Sequence, residues 1–318
     1  MLYGDVLMDI EIYFLGTSAG VPTPQRNVTS IVMRRKGELI FFDMGEGTQR
    51  QFFKLGLGLG KTIKIFFTHI HGDHIMGFFP LIQTLTLFKR TKEVFVYGPP
   101  KLKSLINYFL NFLEIQPSFE LYFNEVFDGV TFEFDEYFVK AIKNSHTSWS
   151  FSYRFQEYGR SGKFNVKKAL NNGIPKHLWK DLASGKNVVL GGKTIKSEDY
   201  IIPIRIKGRS IVISGDTSPF KRMVSFSSHC DVLIHEATFL HELKERSLET
   251  LHTTAMEAAK IAKEADVKIL VLTHFSARYE DPTPLLEEAR KIFPSTFLAE
   301  DLGNLIIPYV KPSQYERL

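Results

Sequence analysis

The sequence predicts an α/β protein in which helices cover β-sheets, and three observations predict it. Short runs rich in Ile, Val and Phe alternate with stretches of helical periodicity. Several of those runs end in His, Asp or Glu, as happens where a site gathers at the carboxyl ends of strands. One strongly basic stretch interrupts the alternation. The composition agrees, with 318 residues, 44% hydrophobic and 24% charged, and no repeats or low-complexity tails. That excludes wholesale disorder, collagen and coiled coil, and fits one large domain or two ordinary ones. No uncharged apolar run approaches the ~18 residues of a membrane span. The first residues lack the basic, apolar and small-residue regions of a secretory leader.

Buried strands are predicted over 10–16, 29–35, 37–43, 62–68 and 93–98, where β-branched and aromatic residues dominate. Helical period appears over 47–56, 74–90 and 101–113. Further strands are predicted at 130–134, 137–142, 209–214, 231–236, 267–273 and 295–301, with helices at 253–265 and 282–293. Residues 152–209 differ. They hold 13 Lys and Arg against 4 Asp and Glu, a net charge of +9, whereas the whole chain carries +5. Basicity confined to one segment points to a polyanionic partner, and the bland alternative is a solvated Lys-rich insertion. Two short helical pieces flank a Gly-Ile-Pro break, and a Gly-Gly turn between apolar runs reads as a hairpin. With few apolar residues for a core of its own, 152–209 reads as an arm inserted into one discontinuous domain, 1–151 and 210–318.

The sharpest chemical signal is His69-Ile70-His71-Gly72-Asp73-His74, which gathers three imidazoles and a carboxylate after the 62–68 strand. His146, Asp216, His235-Glu236 and His274 follow other predicted strands. Histidines at i and i+2 can point to one side of an extended turn, leaving Asp73 and His74 for a second position. One metal cannot comfortably use all four, but two metals about 3.5–4 Å apart can. Imidazole and carboxylate donors suit zinc best, and manganese or iron can use the same set. A lone histidine is ordinarily a core or surface residue, and His177, His229 and His241 are read that way. Cys230 is the one cysteine. It excludes an internal disulfide, reads as a small buried apolar residue and fits a reducing, cytoplasmic setting.

Thr68-His69-x-His71-x-Asp73-His74 resembles the signature of the metallo-β-lactamase fold superfamily. More closely, the chain resembles the ribonuclease Z family of tRNA 3′-processing endonucleases over nearly its whole length. The motifs are Phe42-Asp43-Met44-Gly45-Glu46-Gly47-Thr48-Gln49, Ser214-Gly215-Asp216-Thr217, His235-Glu236-Ala237-Thr238, His252-Thr253-Thr254 and Thr273-His274-Phe275-Ser276-Ala277-Arg278-Tyr279. The resemblance implies an αβ/βα sandwich, two central sheets flanked by helices. It implies one zinc on His69, His71 and His146, another on Asp73, His74 and His274, and Asp216 bridging both. Asp73 would also take a proton from the attacking water, while Glu236 and His252 protonate the leaving 3′-oxygen. Arg26, Asn27, Ser276 and Arg278 would contact substrate.

The resemblance also gives the basic segment a role as a tRNA-gripping arm. Lys163, Lys167, Lys168, Lys176, Lys180 and Lys186 are its candidate phosphate contacts. A homodimer is implied, with one subunit's arm serving the other's active site. The expected activity is zinc-dependent removal of the 3′ trailer from precursor tRNA, leaving a 3′-hydroxyl. Two other readings share these ligands. Another hydrolase of the same fold, acting on a phosphodiester, thioester or lactone, has no need of a +9 arm. A tRNA-binding module with a structural metal site has no need of Glu236 and His252.

Overall fold

The computed structural model describes residues 9–159, 164–201 and 207–309. In chain order the strands are β1 (Ile10–Gly16), β2 (Ser18–Ala19), β3 (Ser30–Arg35), β4 (Glu38–Met44), β5 (Thr62–Phe66), β6 (Val94–Gly98), β7 (Leu121–Glu125), β8 (Thr131–Glu133) and β9 (Tyr137–Lys143). They continue with β10 (Phe151–Glu157), β11 (Val188–Leu190), β12 (Lys193–Ile195), β13 (Ser210–Ile213), β14 (Val232–Glu236), β15 (Ile269–Thr273), β16 (Phe275–Ser276), β17 (Thr296–Leu298) and β18 (Asn304–Ile307). The α-helices are α1 (Thr48–Leu55), α2 (Gly72–Ile75), α3 (Phe78–Leu87), α4 (Lys101–Phe112), α5 (Val166–Asn171), α6 (Trp179–Ala183), α7 (Lys221–Ser227), α8 (Lys244–Glu249), α9 (Ala255–Glu264) and α10 (Thr283–Arg290). These elements fall into two compact units. One draws on Met1–Gln156 and Ser210–Pro308, the other on Glu157–Arg209 and Tyr309–Leu318.

The larger unit is a four-layer sandwich, as the fold resemblance implied. One sheet has the order β18-β1-β3-β4-β5-β6-β7 and the other β17-β15-β14-β13-β10-β9-β8. Their parallel halves, β4 to β7 and β13 to β17, carry crossover helices on the outer faces. Strand alternation then sorts the side chains. Ile40 and Phe42 of β4 point inward and meet Tyr153, Ile211 and Ile234 of the opposite sheet in a central core. Leu39 and Phe41 point outward and pack with Phe52, Phe78, Ile82 and Ile106 of α1, α3 and α4. On the other flank, Val212, Leu233 and Leu270 pack with Met223, Ala258, Ala262 and Leu285 of α7, α9 and α10. Burial on both faces explains why the inner strands, β4 to β6 and β13 to β15, read as nearly continuous apolar runs.

Three sequence expectations change. The helix expected over 74–90 is two helices, α2 and α3, broken at Gly77. A Cβ on Gly77 would sit 1.9 Å from the Gly45 carbonyl oxygen, so the chains approach too closely there for any side chain. Residues 152–156, assigned to the arm, lie in β10, which pairs with β13 from Tyr153↔Ile213 to Gln156↔Ser210. The segment judged too poor in apolar residues for a core has a small one. Ala169, Ile174, Leu182 and Tyr200 are buried, with Phe164, Trp179, Val188, Leu190 and Ile195 packed against them. The Gly-Gly hairpin expected there forms as β11 and β12.

Candidate metal centre

The ligand residues come from loops that follow strands of both sheets. His69 follows β5, His146 follows β9, Asp216 follows β13 and His274 follows β15. In the HGDH turn His71 caps α2, which puts Asp73 and His74 in its first turn. Two ligand clusters result, His69 with His71 and His146, and Asp73 with His74, Asp216 and His274. Within each, the donor atoms lie within 4.8 Å of one another. Asp216 Oδ2 joins them, at 3.8 Å from His69 Nε2, 3.2 Å from His74 Nε2, 3.9 Å from His146 Nε2 and 3.3 Å from His274 Nε2. Asp73 Oδ2 is 3.4 Å from His74 Nε2 and 3.6 Å from His274 Nε2.

The outer nitrogens show that these rings are turned for ligation. His74 Nδ1 is held by Asp43 Oδ2 at 2.8 Å and His274 Nδ1 by Thr238 Oγ1 at 3.0 Å. His69 Nδ1 meets Thr68 Oγ1 at 3.0 Å, and His146 Nδ1 meets the Leu251 carbonyl at 2.9 Å. The inner nitrogens of His74 and His274 are buried without a hydrogen-bond partner among the described residues. Orphaned, inward-facing imidazole nitrogens with anchored outer ones are the arrangement a bound cation completes, so the residues fit a metal. Burial pushes the Asp216 carboxyl up, but the imidazoles of His274, His74 and His69 outweigh it and hold it well below the usual carboxylate range. Burial, reinforced by His74, keeps His69 well below its ordinary value and therefore neutral, the form that ligates.

Glu236 and His252 stand beside this centre. Glu236 is buried, and its oxygens accept from Thr217 N, Thr238 Oγ1, Thr253 N and His252 Nδ1, the last at 2.9 Å. Burial alone would lower His252, but the Glu236 carboxylate outweighs it and the imidazole is pushed up to about 9. A ring nitrogen of His252 lies within 4.8 Å of ligand atoms of His146 and Asp216. Arg278 is exposed, donates from Nε to Ser276 Oγ at 3.0 Å, and lies 4.9 Å from the Phe239 ring.

Arg26 is buried instead. Its guanidinium donates to the Glu280 carbonyl at 2.9 Å and to the Tyr279 carbonyl, so it fastens its loop to the segment after β16. Asn27 packs against Gly47, where a Cβ would come within 2.5 Å of its amide. Among the arm lysines, Lys167, Lys176, Lys180 and Lys186 are exposed. Lys168 is also exposed but donates to the Asp199 carbonyl at 2.7 Å and lies 5.5 Å from the Tyr200 ring. Lys163 lies outside the described residues.

Two residues that sequence reasoning gave no role shape the site. Asp43 accepts from Thr68 N and Thr68 Oγ1, both at 2.7 Å, as well as holding His74. It does so from a left-handed backbone with φ 58°. Its only sequence signal was its place in the motif that begins at the end of β4. Asp301 accepts from Thr17 Oγ1 at 2.8 Å, Asn27 N at 2.7 Å and Gln51 Nε2 at 3.1 Å. It thereby closes the 17–27 loop, whose Gly20 N–H donates to Asp73 Oδ2 at 2.9 Å.

The layering and this centre define a metal-dependent hydrolase of the metallo-β-lactamase fold. Residues 193–275 match the family described as beta-lactamase superfamily domain, and residues 10–162 match that of the anti-Pycsar protein Apyc1. The match to individual proteins is longer. Ribonuclease Z of Nitrosopumilus maritimus is 41% identical over 299 residues, covering 94% of this chain and 100% of that protein. Ribonuclease Z of Archaeoglobus fulgidus is 41% identical over 305 residues, covering 95% and 99%. The crystal structure of the short form of human tRNase Z aligns with a TM-score of 0.69 at 28% identity, over 94% of this chain and 100% of that one. The chain belongs to the ribonuclease Z family.

Proposed function

We propose that this chain is a zinc-dependent endoribonuclease that removes the 3′ trailer from precursor tRNA and leaves a 3′-hydroxyl. One observation carries the reading. A cluster of six imidazole and carboxylate ligands around Asp216 Oδ2, beside a Glu236–His252 pair, occurs in a chain that matches a ribonuclease Z relative over 94% of its length. Two zinc ions would be held by His69, His71 and His146, and by Asp73, His74 and His274, with Asp216 between. When bound, they would acidify a water and neutralise charge developing on the phosphate.

The chain's own groups complete the hydrolysis. Asp73 Oδ2 accepts the proton of the attacking water, and the Gly20 N–H keeps that oxygen oriented. His252, fixed through Nδ1 by Glu236, gives a proton to the leaving 3′-oxygen. Ser276 and Arg278 bind phosphate at the rim, while Arg26 and Asn27 shape the loop opposite. The exposed lysines of the arm contact tRNA phosphates.

The same reading includes a homodimer. Phe53, Leu87, Phe88, Tyr108, Phe112 and Leu113 leave an apolar face exposed on α1, α3 and α4. A second copy of the chain is the occupant proposed for it, to be checked by sedimentation. A cytoplasmic setting is supported by the single buried, free cysteine. Among the described residues no helix is long and apolar enough to cross a membrane. The deciding experiment is cleavage of a pre-tRNA transcript before and after chelation. Metal-dependent release of a trailer from a 3′-hydroxyl end is expected. An intact transcript alongside turnover of a thioester or lactone would sink the reading.

A further inference from the structure

Four segments that carry or touch residues of the centre each leave an apolar side chain in water. Val21 is 57% exposed, Met76 43%, Trp149 42% and Leu251 41%. Val21 follows Gly20, whose N–H is on Asp73. Met76 stands two residues after His74, and Leu251 precedes His252 while its carbonyl holds His146 Nδ1. Trp149 stands out because an indole is rarely left so open in a folded chain. It makes no hydrogen bond or ring contact with any described residue.

Its loop is nevertheless rigid. Asn144 N donates to the Ser150 carbonyl at 2.8 Å, Thr147 N to Ser150 Oγ at 3.2 Å, and Asn144 Nδ2 to the carbonyls of Ser214 and Asp216 at 2.7 and 3.1 Å. The same loop carries His146, and three residues of chain span at most about 10 Å. The open indole is thus presented on a fixed loop, close to where the scissile phosphate must lie.

The geometry points to Trp149 as a stacking platform for an unpaired nucleobase flanking the scissile phosphate, with Leu251, whose carbonyl holds His146 of the same loop, beside it. This rests on the endoribonuclease reading above. Any base offers a π-face, so such a platform adds affinity at the cleavage junction without demanding a sequence. It also complements the lysines, which can grip phosphates but cannot order a base.

The test pairs Trp149→Ala and Trp149→Phe with two pre-tRNA transcripts, one normal and one abasic on both sides of the scissile bond. On the normal transcript Trp149→Ala should raise KM about 5- to 100-fold, and Trp149→Phe should restore most of that loss. On the abasic transcript Trp149→Ala should change KM less than about twofold. Equal impairment on both transcripts, or loss of metal from Trp149→Ala, would make Trp149 a scaffold residue and overturn the proposal. A second measurement does not depend on cleavage. The chain has two tryptophans, Trp149 and Trp179. A short single-stranded oligoribonucleotide should quench emission saturably in Trp179→Phe and not in Trp149→Phe. Absent quenching in Trp179→Phe overturns stacking, whereas quenching without any wild-type cleavage faults the enzymatic reading alone.

Discussion

Asp216 Oδ2, poised among four imidazole nitrogens, makes the centre depend on a single atom. Asp216→Ala should therefore lose both metal and turnover, and metal analysis showing full loading would refute the bridging role. His252→Ala separates chemistry from assembly. It should keep its metal and its RNA affinity but lose about 10²–10⁴ in turnover, and a loss under tenfold would remove it from acid catalysis. Asp43→Ala should weaken metal binding about 10- to 100-fold, because the outer nitrogen of His74 loses its anchor, as a competition titration with a chelator would read. The ligands were legible in the sequence because they crowd one short turn or end apolar runs. Asp43 and Asp301 were not, since their roles arise from partners 25 and 274 positions away, beyond any local pattern.

Among elements, the break between α2 and α3 has a steric origin. Gly77→Ala would drive a methyl into the Gly45 carbonyl at the foot of the HGDH turn. It should destabilise the protein by ~1–3 kcal/mol, and a melting temperature equal to the wild type's would show that the turn can yield. The periodicity over 74–90 hid this break because apolar residues continue through it. β10 was hidden differently. From Tyr153 onward it alternates buried and part-buried positions, but its Arg154 and Glu157 border a lysine-rich segment and were read with it. The inner strands of the parallel halves, β4 to β6 and β13 to β15, were plain because burial on both faces makes them nearly uniformly apolar, whereas β7, an edge strand with no fully buried residue, went unread. By contrast α7 and α8, short and mostly polar, left no period to find.

For the whole molecule, the separate core of the smaller unit changes how the arm should be tested. Replacing residues 158–208 with a short Gly-Ser link spares β10 and its pairing with β13. That variant should retain its metal and its hydrolysis of a small nitrophenyl phosphodiester. It should bind pre-tRNA more weakly and with a flatter salt dependence, because the lysines proposed to contact phosphates are gone. Unchanged pre-tRNA binding at every salt concentration would return the +9 charge to a solvated insertion. Equal loss of both activities would mean that the larger unit cannot stand without it.

The base of that smaller unit is tied shut. Glu157 N donates to the Arg209 carbonyl at 2.9 Å, while Arg209 Nε and Nη2 donate to the two Glu157 carboxylate oxygens at 2.8 Å each. Chain leaving and chain returning thus meet at one buried, two-pronged clasp, and what hangs beyond it need only bring its ends together. Such a closure works as a socket. An appendage of different length or surface chemistry can be grafted there without disturbing the strand register behind it, so the appendage and the metal-bearing strands are free to diversify separately.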